Sequence, residues 1–293
     1  MGEGILLVAH GSRSAAGQRE MEQLSVLVAA AAPPDVSVAM GYLELSDPPA
    51  GLALDRLVAA GAREVTVVPL MLLAAGHSKS DVPAVVVEAR ERHPRVTLRY
   101  GRPLGIDHTL VDLAQQRIGA AGGAGAPLAL IARGTSDPDA NADACKIGRL
   151  VAEAAGAPQV VSGFSGVTWP DVPAALDQLH RLGASRIAVF SWFLATGILL
   201  DRIGNHTRTF SARTGVEVVD AGHFGPSPEV ADLVLARAKE AAAGSVRTNC
   251  DTCVYRAPFP GVADRVGQAR GEGQSHLALE HRHHHGHHAP SEI

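Results

Sequence analysis

The amino-acid sequence predicts an α/β fold of two tandem lobes, each a parallel sheet covered by helices. Three observations carry this reading. Short apolar runs alternate with segments of helical period through about residue 243. Strand-like runs such as 5–9 and 65–70 are apolar throughout, as strands buried on both faces must be. The whole pattern then occurs a second time, in register with the first.

In the first half, runs at 5–9, 36–40, 65–70 and 96–100 read as strands. Between and after them, Met21, Leu24, Leu27 and Val28 recur at helical spacing, as do Leu52, Leu57 and Val58, then Val82, Val85, Val86 and Ala89, then Leu110, Leu113 and Ala114. In the second half the strands fall at 128–132, 160–164, 187–194 and 216–219. Their helices carry Ile147, Leu150, Val151 and Ala154; Leu176, Leu179 and Leu182; residues 199–212; and Val230, Leu233, Val234 and Ala238. Strands alternating with helices imply a parallel sheet with both faces covered.

The duplication is visible residue by residue. Ala9-His10-Gly11-Ser12 aligns with Ala132-Arg133-Gly134-Thr135, an offset of 123, and Gly41-Tyr42 with Gly163-Phe164, an offset of 122. The segment GAREVTVVPL from residue 61 resembles GASRIAVFSW from residue 183. These landmarks divide the chain into lobes at 1–120 and 126–243, joined by a Gly/Ala-rich linker over 119–127, with a tail over 244–293. The tail loses all periodicity and reads as disordered.

Composition narrows the function. A formal charge of −4 argues against a general nucleic-acid binder, which usually carries a basic excess. No apolar stretch reaches the ~20 residues that span a bilayer, and the first twelve residues lack the basic start of a signal peptide. The chain is therefore expected in the cytoplasm. Three cysteines, Cys145, Cys250 and Cys253, do not make a disulfide framework. Cys145 is expected in the core of the second lobe.

Two histidines stand where sites form in such folds, just beyond the carboxyl ends of strands. His10 follows the first strand, with Gly11 to let the chain turn. His77 follows the third, after Gly76. A single imidazole there reads equally as a packed residue; two that converge on one cleft would suit Co²⁺, Fe²⁺ or Zn²⁺ and could accept protons near neutrality. The second lobe has Arg133 for His10 and Ile198 near the place of His77, so one metal centre per chain is expected, with Arg133 reading either as a holder of a carboxylate or as a cap on the strand end. Asp81-Val82-Pro83 reads as a helix cap and first turn.

The motifs LLVAHGSRS, GYLELSDP and VVPLMLLAAGHSKSDVP resemble the sirohydrochlorin chelatase family, in its long two-lobed cobaltochelatase form. GFSGVTWPDVPAAL, FSWFLATGILLDRI and AGHFGPSPEVADLVLAR are similar to that form's degenerate second lobe. The resemblance covers about residues 4–260. It implies two chelatase-like, flavodoxin-like lobes facing across a cleft, with His10 and His77 binding the metal and acting in catalysis. Two imidazoles can divide the labour of ligand and base as a metal displaces two N–H protons from the macrocycle. Glu44 reads equally as a third ligand or proton relay and as a solvated loop carboxylate. Arg13 and Lys79 read equally as cations for the macrocycle's carboxylates and as solvated surface charges, and Ser12 and Ser78 could donate hydrogen bonds to it. The implied reaction is Co²⁺ insertion into sirohydrochlorin in cobalamin synthesis. Fe²⁺ insertion for siroheme and non-catalytic metal storage on the same fold are the alternatives, and Ni²⁺ is a further candidate metal.

The tail carries Cys250-Asp251-Thr252-Cys253 and the tract HLALEHRHHHGHH. One CxxC supplies two thiolates where a Zn or Fe–S site usually takes four ligands; two chains could pool their motifs in a homodimer, and a redox role or none is the alternative. The resemblance brings an Fe–S centre at Cys250 and Cys253 into consideration. The His-rich tract would collect Co²⁺ or Ni²⁺ near the cleft.

Overall fold

The computed structural model describes residues 2–247 together with Asp264 and Val266. The element order in the first half is β1 (Gly2–Ala9), α1 (Ala15–Ala31), β2 (Val36–Tyr42), α2 (Ala50–Ala59), β3 (Ala62–Pro69), a π-helical turn (His77–Asp81), α3 (Val82–Arg92), β4 (Thr97–Tyr100) and α4 (His108–Ala120). The second half gives β5 (Leu128–Ala132), α5 (Pro138–Ala155), β6 (Val160–Phe164), α6 (Val172–Arg181), β7 (Arg186–Ser191), α7 (Ile198–Thr214), β8 (Glu217–Asp220) and α8 (Pro228–Ala242). The strands form two parallel sheets, ordered β2-β1-β3-β4 and β6-β5-β7-β8. The α/β fold expected from periodicity is the fold observed.

Local chemistry sets the helix starts. Ser14, Asp107, Asp137, Asp171 and Ser227 each sit in extended backbone before a helix and accept an amide of its first turn. Pro138, Pro173 and Pro228 stand where a missing N–H costs nothing. Central strands are sealed on both faces: Leu6, Leu7 and Val8 in β1, and Ala129, Leu130 and Ile131 in β5, expose nothing.

Three expectations are corrected. β7 ends at Ser191 rather than near 194, because the Phe193 amide turns back to the Ser191 carbonyl at 2.8 Å; Trp192 and Leu194 remain buried, so their apolarity marks core rather than strand. Gly76, where the sequence suggests a turn before His77, instead has helical backbone, with φ of −47° and ψ of −45°. Cys145 is exposed, since Ala144, Ile147 and Gly148 take the buried stripe of α5. The motif Cys250/Cys253 and the His-rich tract lie outside the described residues.

The last helix of each half covers the other half's sheet. α8 packs on β3 and β4 and along α1, while α4 packs on β7 and along α5. One apolar cluster therefore runs through both halves, from Leu7, Leu24 and Val68 to Leu130, Phe190 and Val234. The exchange is tied by Arg237 of α8, which is 2% exposed and donates to the Leu104 carbonyl at 2.7 Å and to Asp107 at 2.7 Å. No helix among the described residues is long and apolar enough to cross a membrane.

Candidate metal centre

The parallel pairing of β1 with β2 continues past both strands. The Leu43 amide donates to the Ala9 carbonyl and the Glu44 amide to the His10 carbonyl, each at 3.0 Å, so His10 and Glu44 lie side by side. Gly11 makes this approach feasible. Its φ is +101°, and a Cβ built on it would stand 1.8 Å from the Glu44 carbonyl oxygen. The His10 Nδ1 lies 3.2 Å from the Glu44 Oε1.

His77 opens the π-helical turn after β3. Its ring comes within 4.5 Å of the His10 ring, centroid to centroid, at a 55° tilt. One ligand atom from each of His10, Glu44 and His77 can be chosen so that all three lie within 4.8 Å of one another. Two imidazoles and a carboxylate form a borderline-soft set suited to divalent Co, Fe or Zn, and three protein ligands leave room for water or substrate on the metal.

The π-helical turn is held from several sides. The His77 Nδ1 is 2.6 Å from the Asp81 Oδ2, which directs Nε2 outward as the remaining ligand atom. The Tyr100 hydroxyl donates to the Ser78 carbonyl, and the Ser78 hydroxyl to the Ala75 carbonyl at 3.0 Å. Asp81 is thus not the helix cap that its position before Val82-Pro83 implied; its backbone is helical and its carboxylate faces His77. The signal was in the sequence, because i and i+4 are neighbours on a helical turn.

The remaining candidates part company. Lys79 is engaged by the other half: its ammonium bonds Asp137 at 2.8 Å and Asp139 at 2.9 Å, with 11% of the side chain exposed. Burial alone would lower its pKa, but these two carboxylates hold it above the ordinary value. Lys79 therefore ties the His77 turn to the start of α5, in contrast to its expected part as a substrate cation. Ser78 is buried at 4% exposure. The Ser12 amide donates to the Ser46 hydroxyl, and the Ser12 hydroxyl accepts the Ser14 amide, both at 3.0 Å. Arg13 is exposed at the mouth.

The two carboxyl edges meet. A Cβ on Gly17 would stand 2.5 Å from the Thr196 carbonyl oxygen, and one on Gly197 would stand 3.9 Å from the Ser12 hydroxyl. The Thr196 amide donates to Glu20 at 2.6 Å. Partial burial and the adjacent His77 hold the His10 pKa below its ordinary value; Arg133, from the second half, pushes the same way, and Glu44 opposes them. His10 thus keeps a neutral imidazole, the form that binds metal or accepts a proton, to lower pH than a free histidine.

Comparison with known proteins places this geometry. The chain is 35% identical over 261 residues to a sirohydrochlorin cobaltochelatase of Priestia megaterium, covering 86% of this chain and 84% of that protein. It is 32% identical to a sirohydrochlorin ferrochelatase of Bacillus subtilis, covering 84% of this chain and 94% of that one. Its fold matches the solved structure of SirB from Bacillus subtilis with Fe³⁺ at a TM-score of 0.75 and 30% identity, over 84% of this chain and 97% of that one. A SirB structure in complex with cobalt matches at a TM-score of 0.72 and 29% identity, over 83% and 97%. The CbiX family model matches residues 4–121 and again 127–241, and the chain belongs to that family of chelatases.

Proposed function

We propose that this chain inserts a divalent metal into sirohydrochlorin, with Co²⁺ as the physiological metal. One observation carries the reading: His10, Glu44 and His77 present ligand atoms within 4.8 Å of one another. The metal is a substrate, and leaves in the product. Insertion exchanges one M²⁺ for two pyrrole N–H protons, so the site must hold the ion on one face of the ring and take up protons. His77, oriented by Asp81, serves as ligand. His10, with its lowered pKa, serves as ligand first and as proton acceptor once the metal has moved to the ring. Glu44 completes the shell and relays protons. Arg133 and Arg13 face the macrocycle's carboxylates. The first lobe (1–120) carries the chemistry and the second (126–243) grips the substrate.

Cobalt is favoured by the likeness to the Priestia megaterium cobaltochelatase and by the His-rich tract in the 244–293 tail, a plausible collector of Co²⁺ or Ni²⁺. Fe²⁺ insertion is the second reading, favoured by the Bacillus subtilis ferrochelatase, which the chain matches over nearly its full length. Cys250 and Cys253 would hold an Fe–S centre only by pooling two chains, and absorbance of the purified protein tests this. An anaerobic absorbance assay with sirohydrochlorin and Co²⁺, Fe²⁺ or Ni²⁺ tests the main reading. Turnover is expected with Co²⁺ ahead of Fe²⁺. Metal binding without turnover for any of the three would favour a storage protein.

A further inference from the structure

Among the described residues, the carboxyl edge of the second sheet has no counterpart of the metal centre, but it is not blank. Arg133 stands at the position of His10, Gly166 at that of Glu44, and Ile198 near that of His77. Ile198 is 71% exposed, Trp169 69% and Val167 56%. Of the other exposed large apolar residues described, Val26, Leu52, Val87 and Leu150 lie on helix faces, Leu182 in the turn after α6 and Leu45 in the loop after β2. Val167 and Trp169 instead sit in the loop after β6, and Ile198 opens α7 after β7, at the carboxyl edge of the second sheet.

This edge adjoins the metal centre. Gly197, which precedes Ile198, lies against Ser12, and the amide of Thr196 donates to Glu20 of α1 at 2.6 Å. Thr168, which precedes Trp169, packs where a Cβ on Gly134 would lie, 3.2 Å from its methyl group. The Arg133 guanidinium lies 3.2 Å from where a Gly166 Cβ would be, in the loop that carries Trp169, and a cation with exposed large apolar side chains on the same edge is complementary to a flat ring with an apolar face and carboxylates at its rim. We infer that Trp169 and Ile198 of the second lobe form the seat for the macrocycle's apolar face, beside Arg133 for a peripheral carboxylate, while the first lobe holds the metal. The inference rests on the chelatase reading above and adds which residues determine tetrapyrrole affinity.

Metal-free protein titrated with sirohydrochlorin, followed by the tetrapyrrole's own absorbance, tests it. Trp169→Ala and Ile198→Ser should each raise Kd about tenfold, the size expected for exposing one large apolar side chain. Trp169→Phe should restore most of the affinity, and Val26→Ser should change nothing. The affinity of every variant for Co²⁺ alone should match the parent, which also shows that each is folded. In turnover the tetrapyrrole KM should rise while kcat is kept. If the parent binds sirohydrochlorin and the Trp169→Ala and Ile198→Ser variants bind it equally well, the seat is wrong and the chelatase reading stands. If the parent neither binds nor metallates sirohydrochlorin, both fall together.

Discussion

The two halves share a backbone and differ in chemistry. Gly11 and Gly134 both have positive φ, and a Cβ on either would strike the neighbouring loop carbonyl, of Glu44 at 1.8 Å or of Gly166 at 2.1 Å. Leu45 and Val167, one residue further on, are both left-handed, at +63° and +71°. The scaffold that brings two loops together at the sheet edge is thus retained in both copies. The side chains on it are not: His10, Glu44 and His77 in one copy face Arg133, Gly166 and Ile198 in the other. Arg133 even takes the space of the missing carboxylate, its guanidinium lying 3.2 Å from where a Gly166 Cβ would be. A fold positions whatever side chains it is given, and the function follows from those side chains.

That contrast can be broken most severely at the histidines. His10→Ala or His77→Ala should lower insertion roughly 100-fold to 10,000-fold in the anaerobic assay, whereas Arg133→Ala should chiefly raise the tetrapyrrole KM. Normal turnover by both histidine variants would remove the basis for assigning the chemistry to the first lobe. Asp81→Ala should come next, with about a 10-fold to 100-fold loss of Co²⁺ affinity as His77 loses its orienting partner; the Co²⁺ d–d spectrum of the bound ion would report the altered ligand geometry.

The paired glycines sharpen the comparison further. Gly11→Ala and Gly134→Ala meet the same clash and should each destabilise the chain by about 1–2 kcal/mol in denaturant titration. Only Gly11→Ala should also weaken Co²⁺ binding, because only there does the displaced loop carry a ligand. The smallest effect concerns pH. His10 has its pKa lowered from 6.5 by partial burial, then by His77 and Arg133. The acid limb of Co²⁺ binding should therefore lie below that value. Removing the cation in Arg133→Ala raises the His10 pKa, so the limb should move to higher pH in an equilibrium titration of Co²⁺ binding. A limb that stays in place would mean the two edges do not sense each other.

Much of the candidate site was legible before any coordinates. His10 and His77 each follow an apolar strand, and parallel sheets put such residues on one edge. Glu44 was ambiguous because a carboxylate in a loop looks the same whether it faces a metal or water; the amide-to-carbonyl bond between Glu44 and His10 resolves its position. Asp81 was misread because a short polar residue before Val-Pro is a common helix start, and the π-helical turn that redirects it leaves no periodic mark in five residues. Lys79 was misread because its partners, Asp137 and Asp139, lie in the other half.

The sequence by itself determined the alternation of strands and helices, the duplication, and the survival of imidazoles in one copy only. Those are properties of spacing and residue type, which any local stretch of chain displays. Only the tertiary structure decided that α4 and α8 change places, that Lys79 bridges the halves, and that His10, Glu44 and His77 share one small volume. An apolar stripe records that a face must be buried but not against what. A charged side chain likewise records its sign but not its partner, since partners are chosen by where the folded backbone delivers them.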